Sequence, residues 1–424
     1  MGRILRANMG RGLRGLVLVL TATLSACGSD APRDTNQPTA TPAPLIIPWQ
    51  PAQVVIGADS PIVGVSGVLR LHQGTVNDLT LSASGARLAT AAADDVVAVW
   101  NLSDGEALFF QENLPARHVF FGPGDETLIT VDRDGLARVW SLTVIPPPGE
   151  AKPLAEFSGY RTATAGPVVQ SPDRTLLAFG SENGGVKLWR VPQAEEAANF
   201  QAHRAAVGFL AFSPDGQYLV TVGAERGVRV WAVPSGDLVR AVIDADRVEV
   251  DAVAVRAAFS PDSRLLAVAT DRDIQVWTLP AAEPFASIPI ARHQASHQIA
   301  FSPDGRWLAG CGAQPTIGLW EVATRQQVAL LPLPGQGCRN AAFSPDSTLL
   351  LTLPAPGRDL YLWNLAHLRD DQSDGERVLE RADRRGMGLP DGVAFFDIGW
   401  PGDGRFIFVL DEAGPIYALT ARVP

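Results

Sequence analysis

The chain has 424 residues, 46% of them hydrophobic and 19% charged, with 40 Gly and 33 Pro. That excludes disorder throughout and leaves ample apolar material for one large core. Net charge is −10; residues 1–26 hold four Arg and no acid, so the remainder carries −14, a balance that repels a phosphate backbone and argues against nucleic-acid binding.

Residues 1–26 read as a leader. Arg3, Arg6, Arg11 and Arg14 precede a short apolar run, Leu16 to Leu24, too short to span a bilayer but suited to a signal-peptide core. The run ends in Leu24-Ser25-Ala26-Cys27 followed by Gly28. This resembles the lipobox of bacterial lipoproteins, which implies cleavage before Cys27, lipidation of Cys27, and a place in the cell envelope, anchored to a bacterial membrane and facing the periplasm or exterior. Several acyl chains would hold stably, since each buried CH₂ contributes about 0.8 kcal/mol. Residues 27–52 are rich in Pro and Thr without apolar periodicity and read as a semi-extended tether.

Residues 53–424 are expected to form the folded body. Gly67-Val68-Leu69-Arg70-Leu71 reads as a strand without a unit of its own. From there a pattern recurs, a β-rich run ending in Trp at 100, 140, 189, 231, 277, 320 and 363, with an eighth copy ending in Tyr417. Upstream of most copies stands Phe-Ser-Pro-Asp-Gly/Ser, at Phe212, Phe259, Phe301 and Phe343, with degenerate forms at Leu81, Phe121, Gln170 and Trp400. Pro presets φ, Asp bonds back to the backbone and Gly accepts positive φ, so this is a tight turn between paired strands. Each unit is therefore four strands, and stacking units radially buries both faces of each sheet. Residues 366–377 are the longest charged insertion and read as a loop in the seventh unit.

On these landmarks the chain resembles the WD-repeat β-propellers, over about residues 68–424. The resemblance implies an all-β fold, a single β-propeller of four-stranded blades. Eight is the expected count, the N-terminal strand completing the last blade; seven with one copy outside the ring is the alternative. No copy keeps the Trp-Asp dipeptide. His survives as His72 and His203, each 28 residues before its Trp, and only the first copy also offers a hairpin Asp, Asp94. The family's His–Asp–Trp hydrogen-bond network is thus expected to be mostly missing, leaving stability to apolar packing.

No catalytic, metal or cofactor motif is visible. His293 and His297 are four apart but lack a Glu at zincin spacing; there is no Gly-x-Ser-x-Gly elbow or phosphate loop. Cys311 and Cys338 fall on adjacent blades, so a disulfide between them is open, with two separately buried thiols the preferred reading. Loops or strand starts entering the blades carry Arg117, Arg161, Arg204, Arg247, Arg292, Arg339 and Arg384. His297, entering the sixth blade, is counted with Arg117, Arg161, Arg204, Arg292 and Arg339 on a candidate partner-binding face. If these open on one face they form a basic ring that could steer an acidic protein or an anionic polymer. The function expected is a membrane-anchored, extracytoplasmic protein-binding scaffold without cofactor. The alternatives are a propeller enzyme of the lactonase or quinone-dependent dehydrogenase type, and a structural or sensor ectodomain.

Overall fold

The computed structural model describes residues 62–421 apart from 70–71, 104, 112, 145–150, 161–165, 244–255, 271–272, 290–295, 313–314, 334–336, 356–359, 366–378, 382–394, 400–405 and 412–415. The chain divides between Ala43 and Pro44, within the stretch read as a tether, and every described residue lies in the second unit.

The described strands form eight antiparallel sheets of four. Seven are consecutive in sequence, their first strands being Val76–Leu81, Ala116–Phe121, Val168–Gln170, Val207–Phe212, Arg256–Phe259, Ser296–Phe301 and Cys338–Phe343. The eighth takes Phe395–Gly399, Phe406–Asp411 and Ile416–Ala421 and is completed by Ile62–Leu69, which pairs antiparallel with Ile416–Ala421. Eight blades closed by the N-terminal strand is thus the arrangement, and no copy lies outside the ring. The expected 366–377 insertion falls between Tyr361–Asn364 and Leu379–Arg381 of blade 7, outside the described residues.

Packing between blades explains the composition. Second strands such as Thr127–Asp132, Trp307–Gly312 and Leu349–Pro354 are buried at every position, because neighbouring sheets cover both their faces. Seven apolar clusters each straddle two successive blades. Leu69 and Ile416 of blade 8 pack with Val76, Leu88 and Trp100 of blade 1, so the ring is sealed by the same kind of core that fills six other joints. Each fully buried Leu or Val contributes about 1.5–3 kcal/mol.

The Ser-Pro-Asp turns are alike. In blade 4, Ser213 Oγ donates to Asp215 Oδ1 (2.5 Å) and accepts from the Tyr218 amide (2.9 Å), while the Gln217 amide donates to Asp215 (3.0 Å). The same bonds recur at Ser260–Asp262 and Ser344–Asp346. Burial pushes the carboxyls of Asp173, Asp262 and Asp346 up, yet the Ser hydroxyls and turn amides outweigh it and hold them below the usual range.

The residue after each turn Asp, or its equivalent, has left-handed backbone, with φ from 59° to 72°: Gly85, Asp125, Arg174, Gly216, Ser263, Gly305 and Ser347. Glycine suits that conformation without steric cost. Where it is replaced, the side chain reaches the hairpin of the preceding blade. Ser263 Oγ accepts from the Asp215 amide and Ser347 Oγ from the Asp304 amide, each at 3.0 Å. Asp125 accepts from the Ala83 and Ser84 amides (2.7 and 3.0 Å). Arg174 donates to Asp125 (2.7 Å) and onward to the Leu81 carbonyl (3.0 Å), tying blade 3 to blades 2 and 1.

Candidate protein-binding face

First strands of neighbouring blades lie against one another, as Val76–Leu81 does against Ala116–Phe121, and so surround the axis. Their C-terminal ends carry the Ser-Pro-Asp hairpins. Their N-terminal ends lie beside the turns joining second to third strands: the Ala93 amide donates to the Thr75 carbonyl, and that of Ala224 to Ala206. These N-terminal ends, with their approach loops, make the opening end of the ring.

At that end six first strands carry a register shift at their second residue, which leaves it unpaired in the ladder. These residues are Asn77, Arg117, Gly208, His297, Arg339 and Phe396. A bulge re-aims a side chain and interrupts pairing; repeated around the ring, it presents a circle of equivalent positions. Asn77 Nδ2 donates to the Ala116 carbonyl of the next blade (3.2 Å). One residue further in, His118 Nδ1 donates to Asp78 (3.2 Å), whose carboxylate also accepts from the Val119 amide.

The sequence-predicted ring is thereby sorted. Arg117, Arg339 and His297 share the bulge rank. Arg204 lies in the approach loop before Val207–Phe212 and is exposed. Arg204 and Arg339 have interaction partners of their own, whereas Arg117 is exposed and has no acidic partner among the described residues. Arg161, Arg247, Arg292 and Arg384, like Cys27, lie outside the described residues. A cavity of about 440 Å³ opens here across blades 2 to 4, lined by Arg117, His118, Gly166, Pro167, Glu182 and Gly208 among others.

Cys311, on the second strand of blade 6, is bonded to Cys338, at the start of blade 7, with Cα atoms 5.4 Å apart. The preferred sequence reading of two separate thiols is replaced by a pair. They meet because the start of one blade's first strand packs against the second strand of the blade before it.

The polar network also differs from the sequence expectation. In blade 1, His72 Nδ1 donates to Asp94 (3.3 Å), Nε2 lies 2.7 Å from Thr90 Oγ1, and Trp100 Nε1 donates to Thr90 (3.1 Å). Blade 4 repeats this with Glu225 in place of Asp: His203 Nδ1 donates to Glu225 (2.6 Å), Nε2 meets Thr221 (2.6 Å) and Trp231 donates to Thr221 (3.0 Å). Blade 1 is therefore not the sole complete copy. The signal was in the spacing, since Glu225 follows His203 by 22 residues as Asp94 follows His72. Burial holds the His203 imidazole below its usual range, against the pull of Glu225. Glu225 is itself lowered, because a backbone amide and His203 outweigh its burial. Trp140 and Trp363 keep only the Thr half, through Thr130 and Thr352. Trp189, Trp277 and Trp320 have buried, unpartnered Nε1 groups; Phe179, Val268 and Gly310 occupy the Thr position, two residues beyond the partner of each Trp. Apolar packing does carry those three blades.

Comparison with known proteins fits this geometry. The family model for the WD domain, G-beta repeat, matches residues 65–101, 194–232, 246–278 and 290–321. The chain is 30% identical over 165 residues to human apoptotic protease-activating factor 1, covering 36% of this chain and 12% of that protein. It is 25% identical over 265 residues to the human serine-threonine kinase receptor-associated protein, covering 61% and 70%. The matches to the first such relatives span only 12% to 31% of those proteins' length. Chaetomium thermophilum Sqt1, solved bound to the N-terminus of ribosomal protein L10, superposes with a TM-score of 0.64 at 20% identity, over 82% of this chain and 98% of that one. Four stretches that match the WD-repeat model, set among eight four-stranded sheets, make this chain similar to the WD-repeat β-propellers.

Proposed function

We propose that the protein is a lipid-anchored, extracytoplasmic scaffold that binds a protein partner at the opening end of its ring. The observation that carries this is the bulge repeated in six first strands, which holds residues of unlike chemistry at equivalent places on a frame stiffened by inter-blade cores. Variable residues on a rigid frame suit recognition. Sqt1, a ring of similar fold, has been solved with a protein N-terminus bound, and fold likeness makes this an analogy.

Anchoring at Cys27 is supported by the Arg-rich head, the apolar run and Leu24-Ser25-Ala26-Cys27. The inter-blade Cys311–Cys338 bond suits an oxidising compartment. The chain joins the ring at Ile62, opposite Ala421 at the end of a third strand, and thus at the hairpin end.

In vivo crosslinking and affinity capture from the native membrane tests the scaffold. A discrete protein partner supports it; a copurifying metal or cofactor with no protein partner would favour an enzyme. Incorporation of labelled palmitate into wild type and not Cys27→Ala tests the anchor separately, and an unlabelled wild type would end that part of the reading.

A further inference from the structure

We infer that the cavity across blades 2 to 4 is a docking notch for an extended segment of a partner protein, with an acidic side chain of that segment paired to Arg117. This rests on the scaffold reading and names the place and chemistry of contact.

The notch exists because two successive blades lack a side chain at the bulge rank. Four residues before the hairpin residues Phe121, Gln170 and Phe212 stand Arg117, Gly166 and Gly208. The two glycines are present for different reasons. A Cβ at Gly166 would collide with the Gly180 carbonyl, so the fold itself requires glycine there. A Cβ at Gly208 would meet only the Val222 carbonyl oxygen, at 3.7 Å, and the backbone is not left-handed. Packing therefore leaves room for a side chain at 208, and the chain has none. Gly208 is also the bulged residue between Val207 and Phe209, so its backbone is free of the ladder at the cavity wall.

Charge selects the occupant. Arg117 is exposed on the rim without an acidic partner among the described residues, and Glu182 is exposed on the hairpin of blade 3 lining the same cavity. A polyanion would meet Glu182 as well as Arg117, on a body carrying −14, and is disfavoured. A small free carboxylate would gain only one exposed ion pair, worth about 0–1 kcal/mol. An extended segment gains more, by filling a volume of about 440 Å³ against bare backbone while placing one carboxylate on Arg117.

Selection of a random twelve-residue displayed peptide library on the mature protein, with Gly208→Trp and Arg117→Glu in parallel, tests this. The expected result is a consensus containing an acidic residue on wild type. Its affinity should fall at least roughly tenfold on each variant, with melting temperatures unchanged. Arg117→Glu alters an exposed side chain, so it reads the site even if Gly208→Trp proves unstable. A consensus without an acid, or one that both variants retain, overturns the notch while leaving the scaffold standing. Failure to select any peptide also overturns the notch, whereas the scaffold is judged by crosslinking in the membrane.

Discussion

Ser347 Oγ, in the hairpin of blade 7, accepts a hydrogen bond from the backbone amide of Asp304 in blade 6, at 3.0 Å. Ser347 has φ 62°, where glycine would be the unstrained choice, and the inter-blade bond compensates for the strain. Ser347→Ala removes the bond and keeps the strain, so stability should drop by about 1 kcal/mol. Ser347→Gly removes both and should lie between Ala and wild type. Denaturant melts of the three proteins check the order, and equal stabilities would deny the bond any role.

Asp125 joins three blades, accepting from Ala83, Ser84 and Arg174. Burial raises its pKa, but those donors outweigh burial and hold it below the usual carboxylate range. A lowered carboxylate contributes stability that is full above the unfolded pKa, about 3.9, and is lost as pH falls through the folded value. Asp125→Asn should therefore be less stable than wild type at neutral pH and lose less on acidification below about pH 4. Melting temperature against pH measures this.

His203 has a lowered pKa because it is buried, so its neutral form is favoured in the fold. The unfolded chain binds the proton first, and stability should begin to fall as pH drops below about 6.5, levelling off below the folded pKa. His203→Gln should remove that arm of the pH profile and also shrink the lower, carboxylate arm, since Glu225 is held down in part by His203. Thr221→Val, which leaves His203 Nε2 and Trp231 Nε1 unpaired, should cost about 1–3 kcal/mol at neutral pH.

Trp277 Nε1 is buried without an acceptor, and Val268 holds the position that Thr221 fills in blade 4. Val268→Thr supplies an oxygen at nearly the same volume and is expected to stabilise by about 0.5–1 kcal/mol. Val220→Thr, equally buried, destabilises instead. Differential scanning calorimetry of the pair separates them, and destabilisation by both would refute the assignment.

The Cys311–Cys338 bond closes a loop with a sequence separation of 27, for which loop-closure entropy gives about 3–4 kcal/mol. Reduction, or Cys311→Ser with Cys338→Ser, should lower stability accordingly. Non-reducing mass spectrometry of the mature protein should find no alkylatable pair of thiols.

Local chemistry was legible in the sequence. Repeated Trp and Ser-Pro-Asp fixed unit length, turn type and strand order, because tight turns and alternating burial act over a few residues. The orphan strand near Leu69 and the missing fourth strand after Tyr417 pointed to each other for the same reason. Glu225 stands the same distance from His203 as Asp94 from His72, but the longer carboxylate departs from the family's residue type and hides the repeat.

What only the tertiary structure decided are relations between blades: Ser347 with Asp304, Arg174 with Asp125 and Leu81, Cys311 with Cys338, and the bare notch formed by Gly166 and Gly208 beside Arg117. Each joins residues whose proximity depends on how one sheet is rotated against the next. That rotation is set by the summed packing of whole sheets around a closed ring, and no short stretch of the chain encodes it.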